Sequence, residues 1–175
     1  MISVNPLEQF VLLAKNAKGA AAVELIKQAL EAPNVFVFGE LLDMANIQVI
    51  ENRPIMEIRK VFPLQDLTNG QHAPYLTLLN IFAFGTYNDL SSCNQPLPDI
   101  SPLMTRKLRL LTVVSLAEQS KLLPYTHLMQ ELHIDNVREL EDLVIEGISG
   151  GIVQGKLDQK SSHFEVDYVI GRDIR

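Results

Sequence analysis

The chain has 175 residues, 47% of them hydrophobic and 21% charged, with a net charge of −6 and a single cysteine, Cys93. That balance can bury one large core or two small ones and excludes wholesale disorder. It also excludes an internal disulfide, and an acidic total offers no global attraction to nucleic acid or to an anionic membrane. No run approaches the roughly 18 uninterrupted apolar residues of a membrane span. The opening MISVNPLEQF has neither the basic region nor the apolar run of a signal peptide, so a soluble intracellular chain is expected.

The first half reads as helices. Asn5-Pro6-Leu7-Glu8 combines a cap, a proline at the first helical position and a glutamate three residues after the cap, with Leu7, Phe10, Val11 and Ala14 at helical spacing. After Gly19, AAAVELIKQALEA places Val23, Ile26 and Leu30 on one face, and Pro33-Asn34 stops it. A short segment follows, helical from Gly39. Residues 46–74 contain three prolines and an Asn-Gly, which predicts short helices and one long loop. From Tyr75, YLTLLNIFAFGTYNDL resumes an apolar helix with Leu78, Leu79, Phe82 and Ala83 inward. Three prolines in residues 94–102 suggest a linker.

The second half changes character. Ser101-Pro102 caps a helix that is apolar at Leu103, Leu108, Leu110, Leu111, Val113, Val114, Leu116 and Ala117, too many for one stripe and therefore packed on two sides. Pro124 opens a short helix, YTHLMQEL. Asn136 and Glu139 form a capping box for the next, which Gly147, Gly150 and Gly151 end. Two strands around a polar turn close the chain, with Phe164, Val166, Tyr168 and Ile170 on the core face and Glu165 and Asp167 outward. Three helices and a hairpin make a winged helix. The expected fold is mainly α, with helical repeats in residues 1–100 followed by a winged helix in residues 101–175.

Candidate chemistry is sparse. Gly147-Ile148-Ser149-Gly150-Gly151 fits the G-x-S-x-G nucleophile elbow, but the elbow needs a strand before the serine and a helix after it, the reverse of the order here. His127 and His133 lie six residues apart, about 240° around a helix, so they cannot share a metal on one helical face. His72 and His163 fall in expected loops with nothing to tie them to the others. No cysteine cluster, zincin pattern or phosphate-binding glycine loop is present. No catalytic residue, metal or cofactor is assigned.

A winged helix often reads DNA, yet this one is acidic. Residues 101–175 carry nine Lys or Arg against eleven Asp or Glu, and the helix at 136–148 sets Arg138 against Glu139, Glu141, Asp142 and Glu146. Phosphate neutralisation supplies most duplex affinity, so such a helix in the groove is repelled and protein is the expected partner.

The segments FGELLDM at 38–44, FAFGTYNDL at 82–90, LPYTHLM at 123–129, NVRELEDLVIEGI at 136–148, and GIVQGKLDQ with FEVDYVIGRDI at 151–174 resemble the PCI-domain family, and within it the branch that builds the COP-nine signalosome. The resemblance spans nearly the whole chain in matching order. It implies a non-catalytic scaffold, cytoplasmic and nuclear, whose partners are the other PCI subunits of the signalosome and, indirectly, the cullin-RING ligases from which that complex removes Nedd-eight. The isopeptidase of that complex is a zinc site on a different subunit. PCI domains pair through the edge strands of their winged helices, which implies an interface at Ile152, Val153, Gln154, Gly155, Lys156, Leu157, Glu165 and Asp167. Arg138, Glu139, Glu141 and Asp142 form a secondary candidate surface. Segments 152–157 and 164–170 are expected to offer the free edges, with Val153 and Asp167 facing outward. Residues 50–74 are longer than the family pattern. The chain also stops at residues 171–175, where members continue into a helical tail, so a shortened form is expected. The alternatives are a PCI subunit of the proteasome lid or of initiation factor three, and a winged helix that binds nucleic acid.

Overall fold

The computed structural model describes residues 6–15, 17, 20–42, 73–94 and 96–173. The expectations for Asn5, Gly19, His72 and most of the 46–74 stretch lie outside the described residues. The chain forms two compact units, Met1–Ala83 with Asn94–Ile100, and Phe84–Cys93 with Ser101–Arg175. No described helix is long and apolar enough to cross a membrane.

The first unit is helical. Helix α1 (Pro6–Ala14) and α2 (Ala20–Glu31) precede the single turn α3 (Gly39–Leu42), and α4 (Ala73–Phe84) follows. The helical spacing of Val23, Ile26 and Leu30 produces the buried face of α2, as expected, and Leu78, Leu79, Phe82 and Ala83 are all buried on α4. Phe38 meets Phe82 edge to face with ring centroids 6.1 Å apart, an aromatic contact that adds to area burial.

The apolar run from Tyr75 is two helices, not one. It breaks at Gly85-Thr86, and α5 (Tyr87–Ser92) starts afresh. Thr86 accepts from the Asp89 backbone N–H while the Asp89 carboxylate accepts from Thr86 N–H at 2.7 Å, a complete capping box that fixes the break. Residues 84–93 group with the second unit because α5 is fastened there: Tyr87 N–H donates to the Thr112 hydroxyl at 2.9 Å.

Helix α6 (Pro102–Gln119) is the axis of the second unit, with Ser101 accepting from Met104 N–H as its cap. Five consecutive residues, Leu110, Leu111, Thr112, Val113 and Val114, are buried, so the helix is enclosed around its circumference. Leu103 departs from the expected apolar face. It lies in the first turn, ahead of that enclosed stretch, and is 64% exposed. Strand β1 (Leu122–Pro124), α7 (Tyr125–Leu132), α8 (Val137–Ser149), β2 (Val153–Asp158) and β3 (His163–Val169) complete the unit. Helix α7 ends on His133 in a left-handed conformation, φ 50°, and the break into β2 uses Gly151 at φ 70°.

The sheet has three strands in the order β1-β3-β2, all antiparallel. Strand β1 was not visible in the hydrophobic pattern, and it changes the topology: β3 becomes the central strand. The register slips between Gln154 and Gly155, with Gln154 opposite Tyr168 and Gly155 opposite Val166, so Asp167 is a bulged extra residue. A one-residue bulge moves every later side chain to the other face. Phe164 and Val166 therefore face the core as expected, but Tyr168 is turned outward and 55% exposed. Val169, half-buried, lies opposite Val153, which is buried rather than outward at 1% exposure.

Gly155 is what permits the bulge. A Cβ there would lie 2.1 Å from the Glu165 carbonyl oxygen and 2.9 Å from the Phe164 ring. Relieving both contacts requires shifting the central strand. Gly155→Ala is expected to cost about 2–4 kcal/mol in denaturant unfolding, in the range of severe packing changes. Gly171→Ala, where a Cβ meets nothing within 4 Å, should leave stability nearly unchanged.

Candidate functional site

A strand at the edge of a sheet carries backbone donors and acceptors that its own sheet cannot satisfy. Which groups these are follows from the ladder. Tyr125 N–H donates to Ser162 O at 2.9 Å and Val166 N–H to Lys121 O at 2.8 Å, so residues 162, 164 and 166 of β3 turn their backbone groups toward β1. Antiparallel alternation then turns 163 and 165 toward 158 and 156 of β2. Ile170 N–H donates to Ile152 O at 2.9 Å, which continues the same alternation at the other end. On the β1 edge the Leu122 groups are taken by the Ser120 hydroxyl; on the β2 edge Val153, Gly155 and Leu157 turn away from the sheet, and of these Val153 is buried, which leaves Gly155 and Leu157 accessible. No described strand pairs with them.

This corrects the expectation of a free edge for residues 164–166, which are paired on both sides; β1 does not extend alongside residues 167–170. Glu165 pairs with Leu122 on one side and Lys156 on the other, and the backbone of Val166 is engaged by Lys121. Glu165 and Asp167 remain exposed by side chain, Glu165 in a cross-strand charge pair position opposite Lys156. Of the sequence candidates on β2, Gln154 and Lys156 point outward, Leu157 is half-buried on the inner face, and Ile152 and Val153 are core.

The acidic helix is committed largely to its own fold. Glu139 on α8 pairs with Arg109 on α6 at 2.8 Å, and Glu146 pairs with Arg106. Arg109 also donates to the His133 carbonyl at 3.0 Å and lies over the Tyr87 ring, 5.0 Å from its centroid. Glu141 accepts from the Tyr125 hydroxyl at 3.2 Å and from Gln159 of the hairpin turn at 3.0 Å, so one carboxylate ties the wing, α7 and α8 together. Arg138 and Asp142 stay exposed on α8. Three members of the acidic face thus stabilise the unit, and two arginines suited to phosphate are neutralised by it.

Two positions carry structure that sequence reasoning gave no role. Arg172, beyond β3, donates to the Gly85 carbonyl at 2.8 Å and the Ser115 hydroxyl at 2.5 Å, and burial pulls its guanidinium below the ordinary arginine value. It fastens the chain after the sheet to the α4–α5 break. His133 meets Asn88 at 3.1 Å and packs edge to face on Tyr87, 5.4 Å between centroids, a structural use rather than ligation. His127 is exposed on α7. Ser149 ends α8 and is followed by Gly150 as the C-cap, so the strand-turn-helix geometry of a nucleophile elbow is replaced by a helix stop. Among the described residues no group of three His, Cys, Asp or Glu could hold a metal.

A family model described as the CSN7 helical bundle subdomain matches residues 8–39, and one described as the PCI domain matches residues 87–167. The chain is 44% identical over 171 residues to COP9 signalosome complex subunit 7 of Dictyostelium discoideum, covering 98% of this chain and 60% of that protein. It is 46% identical over 168 residues to COP9 signalosome complex subunit 7a of Mus musculus, covering 96% of this chain and 55% of that protein. A more distant similarity, 32% over 149 residues, covers 83% of this chain and 30% of eukaryotic translation initiation factor 3 subunit M of Aspergillus fumigatus. The chain spans little more than half the length of the two subunit 7 proteins.

Burial, and then the Glu141 carboxylate to which it donates, push the Tyr125 phenol from 10.0 up to about 12. A raised folded-state value means that the protonated phenol stabilises the fold fully below pH 10 and that this contribution fades as pH climbs through 12. Absorbance titration should show one late-ionising tyrosine, lost in Tyr125→Phe. The variant should unfold about 1–2 kcal/mol more easily at pH 7, the magnitude of a hydrogen bond to a charged acceptor, with a shallower alkaline loss.

Proposed function

We propose that this chain, which belongs to the PCI-domain family, is a non-catalytic assembly subunit of the COP9 signalosome. In this reading it works in the cytoplasm and nucleus and supports cullin deneddylation, and so the regulation of cullin-RING ubiquitin ligases, by holding neighbouring PCI subunits in place. The isopeptidase chemistry belongs to another subunit, and this chain supplies surfaces. Two family models in matching order and the similarity to subunit 7 proteins over nearly its whole length support the assignment.

The observation that carries the mechanism is the open outer edge of β2 beside a helix three of whose acids, Glu139, Glu141 and Glu146, are occupied within the fold. A neighbouring PCI subunit adds a strand along residues 155–157, taking the outward groups of Gly155 and Leu157. Gln154 and Lys156 flank it on the outer face, and Glu165 and Asp167 border the contact. Ile152 and Val153 act from behind, by holding the strand against the core. Arg138 and Asp142 remain the accessible part of the secondary surface on α8; Glu139 and Glu141 are spent on internal contacts.

Leu157→Pro removes an outward donor without touching the rungs at 156 and 158. It should lower binding to neighbouring PCI subunits at least tenfold while circular dichroism and melting report an intact fold. A well-folded variant that binds like wild type would shift the interface to α8. Pull-down with mass spectrometry should recover signalosome subunits. Recovery of initiation-factor subunits alone would instead favour the second reading, which the match to subunit M supports.

For nucleic acid, fluorescence anisotropy at near-physiological salt should find nothing tighter than the non-specific range of roughly 10⁻⁴ to 10⁻⁶ M. A sequence-selective complex below that range would defeat the charge argument.

A further inference from the structure

Two fastenings hold β2 alongside α8. Ile152 N–H donates to the Gly147 carbonyl at 2.9 Å, and at the other end the Gln159 side chain donates to the Glu141 carboxylate at 3.0 Å. Helix and strand therefore run side by side in opposite directions. Glu141, Ile145 and Ile148 follow one another at i, i+4 and i+7 on one face of α8, and the bond to Gln159 shows that this face is turned to the hairpin. Ile145 is 50% exposed, while Ile148 and, on the inner face of β2, Leu157 are half-buried. An apolar strip thus borders the edge that still offers the backbone of Gly155 and Leu157.

We propose that the strand docking on β2 is read by its side chains as well as its backbone: it carries apolar residues opposite Gly155 and Leu157 and an acidic residue between them, opposite Lys156. The inference rests on the reading of β2 as a docking edge and names the chemistry of the segment that fits it.

The pleat supplies the reason. Residues directly opposite one another on adjacent strands share a face of the sheet. The partner residues facing Gly155 and Leu157 therefore point to the inner side, toward α8, where Ile145, Ile148 and Leu157 remain to be covered. Gly155 adds no side chain of its own, so a large partner residue has room in that row. A polar residue in either place would lose water against aliphatic carbon without gaining a hydrogen bond.

The partner residue facing Lys156 points to the outer side. Lys156 is exposed, with Glu165 opposite it on β3. A carboxylate on its open flank extends that row as minus, plus, minus, whereas a second cation would meet Lys156 directly, which is destabilising. Asp158, the other acid on the outer face of β2, is turned into the hairpin: it accepts from Ser161 N–H at 3.1 Å and from the Ser161 hydroxyl at 2.9 Å, and so does not compete for Lys156.

The test uses the full 175-residue chain in complex with the PCI subunit that pull-down recovers with it. A carbodiimide joins an amine to a carboxylate in direct contact, and a Glu165→Gln background removes the acceptor within the chain. Mass spectrometry of the digested complex should find Lys156 linked to an Asp or Glu of the partner whose two chain neighbours are apolar. Ile145→Ser should weaken the complex about tenfold, the worth of covering an exposed aliphatic side chain, and Ile145→Leu should not. Lys156→Gln should weaken it roughly two- to fivefold and flatten its salt dependence, while Lys156→Arg keeps both. Melting of each variant alone checks that the fold is intact.

A link from Lys156 to an acid with polar neighbours, or no link at all, overturns the proposal, as does a complex indifferent to Ile145→Ser or to Lys156→Gln. If Leu157→Pro still costs the partner in that case, the docking edge stands without the side-chain reading. If Leu157→Pro also binds like wild type, both fall.

Discussion

Three residues of extended chain, Leu122–Pro124, hydrogen-bond to β3, and the rest of the winged helix is arranged around that pairing. With β1 in place residues 163–166 of the middle strand have partners on both sides, and the inner residues Phe164 and Val166 are locked over the core. Unsatisfied groups remain on the far side of β2. Backbone accounting thus limits where another strand could be added before any side chain is considered.

Side chains then decide what sort of partner is acceptable. From composition alone, an acidic helix in the recognition position reads as a surface awaiting a basic ligand. Its carboxylates instead neutralise Arg106 and Arg109 and brace the wing through Tyr125 and Gln159. Exposed pairs of this kind contribute little each, up to about 1 kcal/mol. Their larger consequence is negative: Arg106 and Arg109, two cations that could serve a phosphate backbone, are already engaged. A winged helix of this charge arrangement is suited to protein contacts, in keeping with the PCI domain matched at residues 87–167.

The second unit also reaches beyond the contiguous winged helix. Helix α5 is held by Thr112, by the stacking of Arg109 on Tyr87 and by the Asn88–His133 contact, and Arg172 binds the carbonyl of Gly85 just ahead of it. These bonds join positions up to 87 residues apart. The helix before the proline-rich stretch and the chain after the sheet therefore belong to one packed body with α6.

The sequence by itself determined the elements whose signals are local. Helical spacing placed the inward faces of α2 and α4, Ser101-Pro102 and Asn136 marked helix starts, and the alternation of Phe164 and Val166 marked a strand, because propensity, capping and amphipathic period act within a few residues. Two further local signals were present: the Thr86–Asp89 capping box that splits the long apolar helix, and the isolated Gly155 that marks a bulge. The tertiary structure decided the rest. A three-residue strand has too short a period to announce itself, and a bulge reverses the face of Tyr168 through pairing with Gln154, fourteen residues away in the chain. The roles of Arg172 and of the α8 carboxylates depend on which distant carbonyl or cation the fold brings within hydrogen-bond reach. Charge and backbone valence can be read from the residues, but which of them are left over can be counted only once the chain has packed.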